Sequence, residues 1–104
     1  MERERDHITE NGCASDDTVA ADGIVYDTDR VMFLRSHLRE LHRATAEGVP
    51  VRGYFQWSLM DNFEWTAGYG NRFGIVYVDF KAQKRTPKAS AQFFRAAAGR
   101  NGVV

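Results

Sequence analysis

The sequence holds a single cysteine, Cys13, and only two prolines. A lone thiol excludes an intrachain disulfide and any cysteine-based metal cluster. Fourteen lysines and arginines against fourteen aspartates and glutamates leave no net charge at pH 7. That balance gives no electrostatic reason to expect nucleic acid or an anionic membrane as partner. It also removes one protection against self-association near neutral pH. No apolar run approaches the roughly 20 residues of a membrane span. The start of the chain, Met1-Glu2-Arg3-Glu4-Arg5-Asp6, is charged where a secretory signal would be apolar. A cytoplasmic protein in a reducing compartment is the expectation.

What is present is an ordinary hydrophobic fraction of 43% and a generous aromatic fraction of 12%. At 104 residues the chain is long enough for one small domain with a modest core. Residues 1–7 read as a charged tail. Ile8 and Thr9 are β-branched and stop at Asn11-Gly12, a turn signal. Residues 13–23 are small and polar, a surface loop. Ile24-Val25-Tyr26 is short and extended, and Asp27 or Thr28 can cap a helix. Val31, Leu34, Leu38 and Leu41 then recur at helical spacing, with Arg35, Arg39, Glu40, His42 and Arg43 on the other face. Gly48 and Pro50 supply the stop.

Residues 51–57 read as a second strand. Residues 58–72 form a long aromatic loop with Gly68 and Gly70, and loops of that length are usually functional. Residues 73–80 read as extended, hairpin-like, and 81–85 as a polar turn. A last helix is expected to start with Thr86 as cap and Pro87 at its first position. Ala89, Phe93, Phe94, Ala96 and Ala97 give it a buried face, and Gly99 ends it. Two strands joined by a crossover helix would be parallel.

Some polar residues point to no chemistry. His37 and His42 are five apart and diverge around a helix, so they cannot chelate one ion from one face. No metal site and no cofactor are expected. Ser58 and Ser90 lack nucleophile-elbow glycines. Cys13 reads as a small buried thiol. Glu10, taken alone, reads as an exposed glutamate beside a turn, Trp57 as a core aromatic ending a strand, and Glu64 as an exposed loop charge.

Two runs change that balance: Ile8-Thr9-Glu10-Asn11-Gly12, and Trp57-Ser58-Leu59-Met60-Asp61-Asn62-Phe63-Glu64-Trp65. In this order, followed by Gly68-Tyr69, Arg72-Phe73-Gly74, Tyr77-Val78-Asp79 and Arg85-Thr86-Pro87-Lys88 with Ser90, the chain resembles the last stretch of glycoside hydrolase family 1, the β-glucosidase family. The resemblance runs from about Ile8 to about Ala97. It implies an α/β fold, about the last quarter of a (β/α)8 TIM barrel, with two parallel strands and two helices. A whole barrel needs roughly 250 residues. Residues 8–104 would be this barrel segment, and residues 1–7 the tail.

The resemblance implies roles as well. Glu10 would be the nucleophile of a retaining glycosidase, a mechanism that pairs two carboxyl groups roughly 5 Å apart. Glu64 would accept hydrogen bonds from the distal hydroxyls of the sugar, Trp65 would donate one, and Trp57 would form the floor, with Phe73 either on the wall or in the core. The family also implies a cis peptide at Trp57-Ser58, and a structural role for Arg85 to Ser90. The partner would be a β-glucoside or a related sugar.

Two departures qualify the match. The family's acid/base glutamate sits in an Asn-Glu-Pro motif, which this sequence lacks. The residues before Ile8 are charged where a barrel strand is apolar, and a buried strand could hold them only at a large desolvation cost. The expectations are therefore two. In one, the chain is a glycosidase segment active only with a complementing chain; in the other, a noncatalytic truncated remnant that self-associates or holds sugar weakly.

Overall fold

The computed structural model describes residues 4–103. Strand β1 (Asp6–Asn11), helix α1 (Thr28–Ala46) and strand β2 (Val51–Gln56) come first, and β2 pairs with β1 in a parallel sheet. A 3-10 turn at Trp65–Ala67 follows. Strands β3 (Val76–Val78) and β4 (Arg85–Pro87) then form a small antiparallel pair, and helix α2 (Ala89–Arg100) closes the chain. The expected strand–helix–strand–loop–helix order is present. No helix among the described residues is long and apolar enough to cross a membrane.

β1 takes in Asp6 and His7, two residues inside the stretch read as tail. Their polarity does not prevent this, because one face of the β1–β2 sheet is uncovered. A β-carbon built on Gly53 would lie 2.8 Å from the His7 ring and 3.6 Å from the Phe55 ring, so these three share a face. His7 is exposed there, and Phe55 is 59% exposed. The opposite face carries Tyr54, whose ring centroid lies 6.5 Å from that of Phe94 on α2. Among the described residues, helix cover is therefore on the Tyr54 face, and the face of His7 and Phe55 is open.

α1 forms where the apolar stripe placed it. Leu34 is fully buried, and Val31, Leu38 and Leu41 are half-buried. Gly48 follows the helix at φ +103, a left-handed position that glycine adopts without penalty. Asp27 does precede the helix, but its side chain makes no capping bond. It turns instead to Ser90 and Arg30. Val25, in the stretch read as extended, makes only a single bridge to Lys88.

The start of α2 is corrected. Thr86 lies opposite Tyr77 and Pro87 opposite Val76 in the β3–β4 pair, so neither caps or opens the helix. The chain stays extended through Lys88, at ψ 170, because neighbouring carbonyls satisfy its backbone. Lys88 N–H donates to Ile75 and Ala89 N–H to Val25. α2 also runs past Gly99 and stops at Asn101, which is left-handed at φ 49.

The core is unusual in composition. Val25, Leu34, Ile75, Val78, Phe93 and Ala97 are its buried apolar members, and Asp27, Arg30, Ser58, Asp61, Lys88 and Ser90 are buried beside them. The radius of gyration is 15.3 Å, against about 13 Å for a compact domain of this length. The extents of 53 × 30 × 18 Å describe a thin slab, consistent with a sheet clad on one side.

Candidate active site

Parallel pairing brings the C-terminal ends of β1 and β2 to one rim, with Asn11 opposite Gln56. Between Ile8 and Asn11 the register slips, with three steps on β1 matched by two on β2. The extra residue falls at Thr9–Glu10. A bulge of this kind twists a strand and re-aims a side chain, and bulges concentrate beside active sites. Glu10 is exposed at that bulge.

The two strand ends are tied just beyond it. Trp57 N–H donates to the Asn11 carbonyl at 2.8 Å, and the Tyr54 hydroxyl donates to Asn11 Oδ1 at 2.7 Å. Burial pushes the Tyr54 hydroxyl pKa up to about 12, with the Cys13 thiol, as thiolate, adding to the rise. Gly12 packs so closely on the crossing chain that a β-carbon there would lie 1.8 Å from the Trp57 carbonyl oxygen. Gln56 Nε2 donates to that same oxygen at 2.6 Å. Glu10 and Trp57 are thus brought to one place.

The Trp57–Ser58 peptide is cis, as the resemblance implied. Past it, Ser58 N–H donates to the Phe73 carbonyl and the Ser58 carbonyl accepts from Ile75 N–H. That exchange holds half-buried Phe73 beside the strand end. Glu64 and Trp65 sit in a turn of their own. Glu64 N–H donates to Gly68 O, and the Glu64 and Trp65 carbonyls accept from Ala67 and Gly68 N–H. Trp65 has φ 42, rare for a bulky residue, and is 84% exposed. Backbone outliers of this sort cluster at functional sites. Trp57 is 38% exposed and Glu64 half-buried. Glu10, Trp57 and Phe73 thus stand by the strand ends, while Glu64 and Trp65 lie on the loop that leaves them. Carboxylates, indoles and a phenyl ring are groups able to accept and donate hydrogen bonds and to stack on a sugar ring.

Behind the rim lies a group of residues the sequence did not single out as one unit. Lys88 Nζ contacts Asp17 at 2.5 Å, Asp61 at 2.9 Å and the Gly74 carbonyl at 2.6 Å. Arg30 pairs with Asp27 at 2.5 Å and Asp17 at 2.9 Å, and donates to the carbonyls of Cys13 and Arg72. Arg72 pairs with Asp61 at 2.6 Å, and its guanidinium lies 4.1 Å from the centre of the Tyr77 ring. Three cations meet three carboxylates, which is what permits their burial.

Burial alone would push the Asp61 carboxyl up. The hydrogen bonds from Lys88 and Arg72 outweigh it, and the pKa lies below the usual carboxylate range. Burial likewise opposes the charge on Arg30, and its carboxylate partners hold it charged nonetheless. The Cys13 thiol is pushed up, chiefly by burial. The signal for this cluster was faint in sequence. Asp17 lay in a polar loop, Arg30 at the start of a helix, and Lys88 at a helix entrance read as structural.

Comparison with known proteins gives the context. The family model described as glycosyl hydrolase family 1 matches residues 2–103. The chain is 50% identical over 97 residues to a β-glucosidase A of Thermotoga maritima, covering 93% of this chain and 22% of that protein. It is 52% identical over 92 residues to a bifunctional β-D-glucosidase/β-D-fucosidase of Bifidobacterium breve, covering 85% of this chain and 20% of that protein. The solved structure of a family 1 β-glucosidase from Thermotoga maritima in complex with isofagomine lactam superimposes with a TM-score of 0.93 at 50% identity, over 94% of this chain and 22% of that one. The chain thus spans about a fifth of the length of these relatives. Its parallel strand pair, crossover helix and closing helix are the C-terminal portion of their (β/α)8 barrel, and the chain belongs to glycosyl hydrolase family 1.

Proposed function

We propose that this chain contributes the nucleophile and the glycone-binding half of a retaining β-glucosidase site. The observation that carries the proposal is Glu10, exposed on a bulge at the C-terminal end of a parallel strand and tied to the end that presents Trp57. The C-terminal face is where barrel enzymes of this architecture place their chemistry.

In this reading the ionised Glu10 attacks the anomeric carbon. A bond forms between its oxygen and that carbon, and the bond to the leaving oxygen breaks. The leaving oxygen takes a proton from a second carboxylic acid, which the rest of the barrel supplies. Water, deprotonated by that same group, then releases the sugar and restores Glu10. Glu64 accepts hydrogen bonds from distal hydroxyls, Trp65 donates one, Trp57 forms the floor and Phe73 the wall. A β-glucoside is the substrate proposed, and the bifunctional relative extends the range to a β-fucoside.

The test is intact mass after incubation with an activated 2-deoxy-2-fluoro-β-glucoside, whose good leaving group needs little protonation. One glycosyl adduct per chain is expected on the native sequence and none on Glu10→Gln. Absence of an adduct at high reagent would remove independent glycosylation by this chain. A noncatalytic, self-associating chain is the second reading, favoured by the uncovered sheet face around Phe55. It is distinguished by the same measurement.

A further inference from the structure

The loop that follows Glu10 and the loop that carries Glu64 and Trp65 come from different strands. Outside the crossing at Gly12 and Trp57, they are joined near Arg72 by Ser15 N–H and by Arg30, which donates to the Cys13 and Arg72 carbonyls, and deeper in by one ammonium group. Asp17 belongs to the first loop and Asp61 to the second, and both carboxylates pair with Lys88 Nζ. The third donor goes to the Gly74 carbonyl, beside the Phe73 wall. All three ammonium hydrogens are thereby used. Lys88 is fully buried, so these contacts are not weakened by solvent.

Asp61 passes the restraint on to its loop. Besides Lys88 it accepts from Arg72 Nη1, Gly74 N–H and Val78 N–H, so each oxygen of its carboxylate has two donors. Gly74 packs tightly on this junction, where a β-carbon would lie 2.3 Å from Asp61 N. Asp17 is fixed from its own side by Arg30. A site whose two halves stand on separate loops loses activity when their spacing drifts by an ångström. We propose that Lys88 is a positioning residue, setting the Glu10 loop against the glycone loop. This rests on the reading of Glu10, Glu64 and Trp65 given above. Lys88 itself touches no sugar; it acts through Asp17 and Asp61.

The test uses the intact chain and its Lys88→Met and Lys88→Arg variants, with two readouts. The first is deuterium uptake by segment. Lys88→Met is expected to raise uptake in residues 12–20 and 58–65 while 6–11 and 51–56 stay unchanged. The second is isofagomine lactam binding, followed by the fluorescence of Trp57 and Trp65, the two tryptophans of the sequence. Affinity is expected to fall about tenfold or more in Lys88→Met and to recover in part in Lys88→Arg.

Uptake rising equally in the sheet and α1 would overturn the proposal, making Lys88 a general stabilising ion. Unchanged uptake would overturn it too. If Lys88→Met fails to fold, Asp17→Asn releases the first loop from Lys88 together with its Arg30 pair, while the Asp61 arm stays in place. Faster exchange confined to 12–20 supports the proposal, and none overturns it. Should the native chain bind no inhibitor at all, the glycone reading falls while the exchange pattern still decides whether Lys88 sets the two loops.

Discussion

Single residues at the rim differ sharply in what they tolerate. A methyl group on Gly12 or Gly74 meets backbone atoms, at 1.8 Å and 2.3 Å, and neither neighbour is a side chain that can swing away. Gly12→Ala is expected to destabilise by about 1–3 kcal/mol, read as a lower urea midpoint. Gly99→Ala is the control, since nothing beyond its chain neighbours and its own helix backbone lies within 4 Å of its β-carbon position. It sits inside α2, where alanine should add about 0.5–1 kcal/mol. Leu34 is fully buried, and Leu34→Ala is expected to cost about 2–5 kcal/mol. The exposed pairs of Arg43 with Glu40 and Glu47 are a different case. Their loss should change the midpoint little, because exposed ion pairs contribute about 0–1 kcal/mol.

The elements are joined by buried charge as well as by apolar packing, and pH should show it. Asp61 is depressed in the fold by its bonds from Lys88 and Arg72, against the opposing effect of burial. Its contribution is complete above the ordinary aspartate value of about 3.9. It is lost as pH falls through the depressed folded value. Tyr54 has the opposite sign. Its folded pKa, near 12, lies above the ordinary tyrosine value, so its neutral hydroxyl favours the fold until pH rises past about 10. The urea midpoint is expected to be flat from about pH 5 to 9 and to fall at both ends. Asp61→Asn should shrink the acid loss, and Tyr54→Phe the alkaline one. An acid limb unchanged in Asp61→Asn would place the acid sensitivity elsewhere.

At the scale of the molecule the feature with most consequence is the bare face of the β1–β2 sheet. His7, Gly53 and Phe55 lie on it, and Leu59, Phe63 and Trp65 are exposed in the segment beyond. A two-stranded sheet also leaves both outer edges unpaired among the described residues, which favours association with other strands. Zero net charge does nothing to oppose it. The native chain is expected to sediment larger than a monomer. Phe55→Ser should shift it toward the monomer without altering the helical circular dichroism, because Phe55 touches neither core nor helix face.

The sequence by itself determined the family and the existence of most elements. The run from Trp57 to Trp65 with Glu10 upstream suffices for the family, and the stripe from Val31 to Leu41 for α1, because local period and motif are properties of consecutive residues. It did not determine where α2 begins. Thr86-Pro87 is as good a helix entrance as it is a strand, and antiparallel pairing with β3 across the turn at 79–84 chose the strand. It left β1 too short, since the place of Asp6 and His7 depends on whether a sheet face is covered. The bulge at Glu10 exists only in the register against β2. The charge cluster was the least legible, because Asp17, Arg30, Asp61 and Lys88 lie far apart in sequence and each is ordinary alone. Only the tertiary structure decides that such groups are buried together, since their burial is tolerable only when all the partners arrive at once.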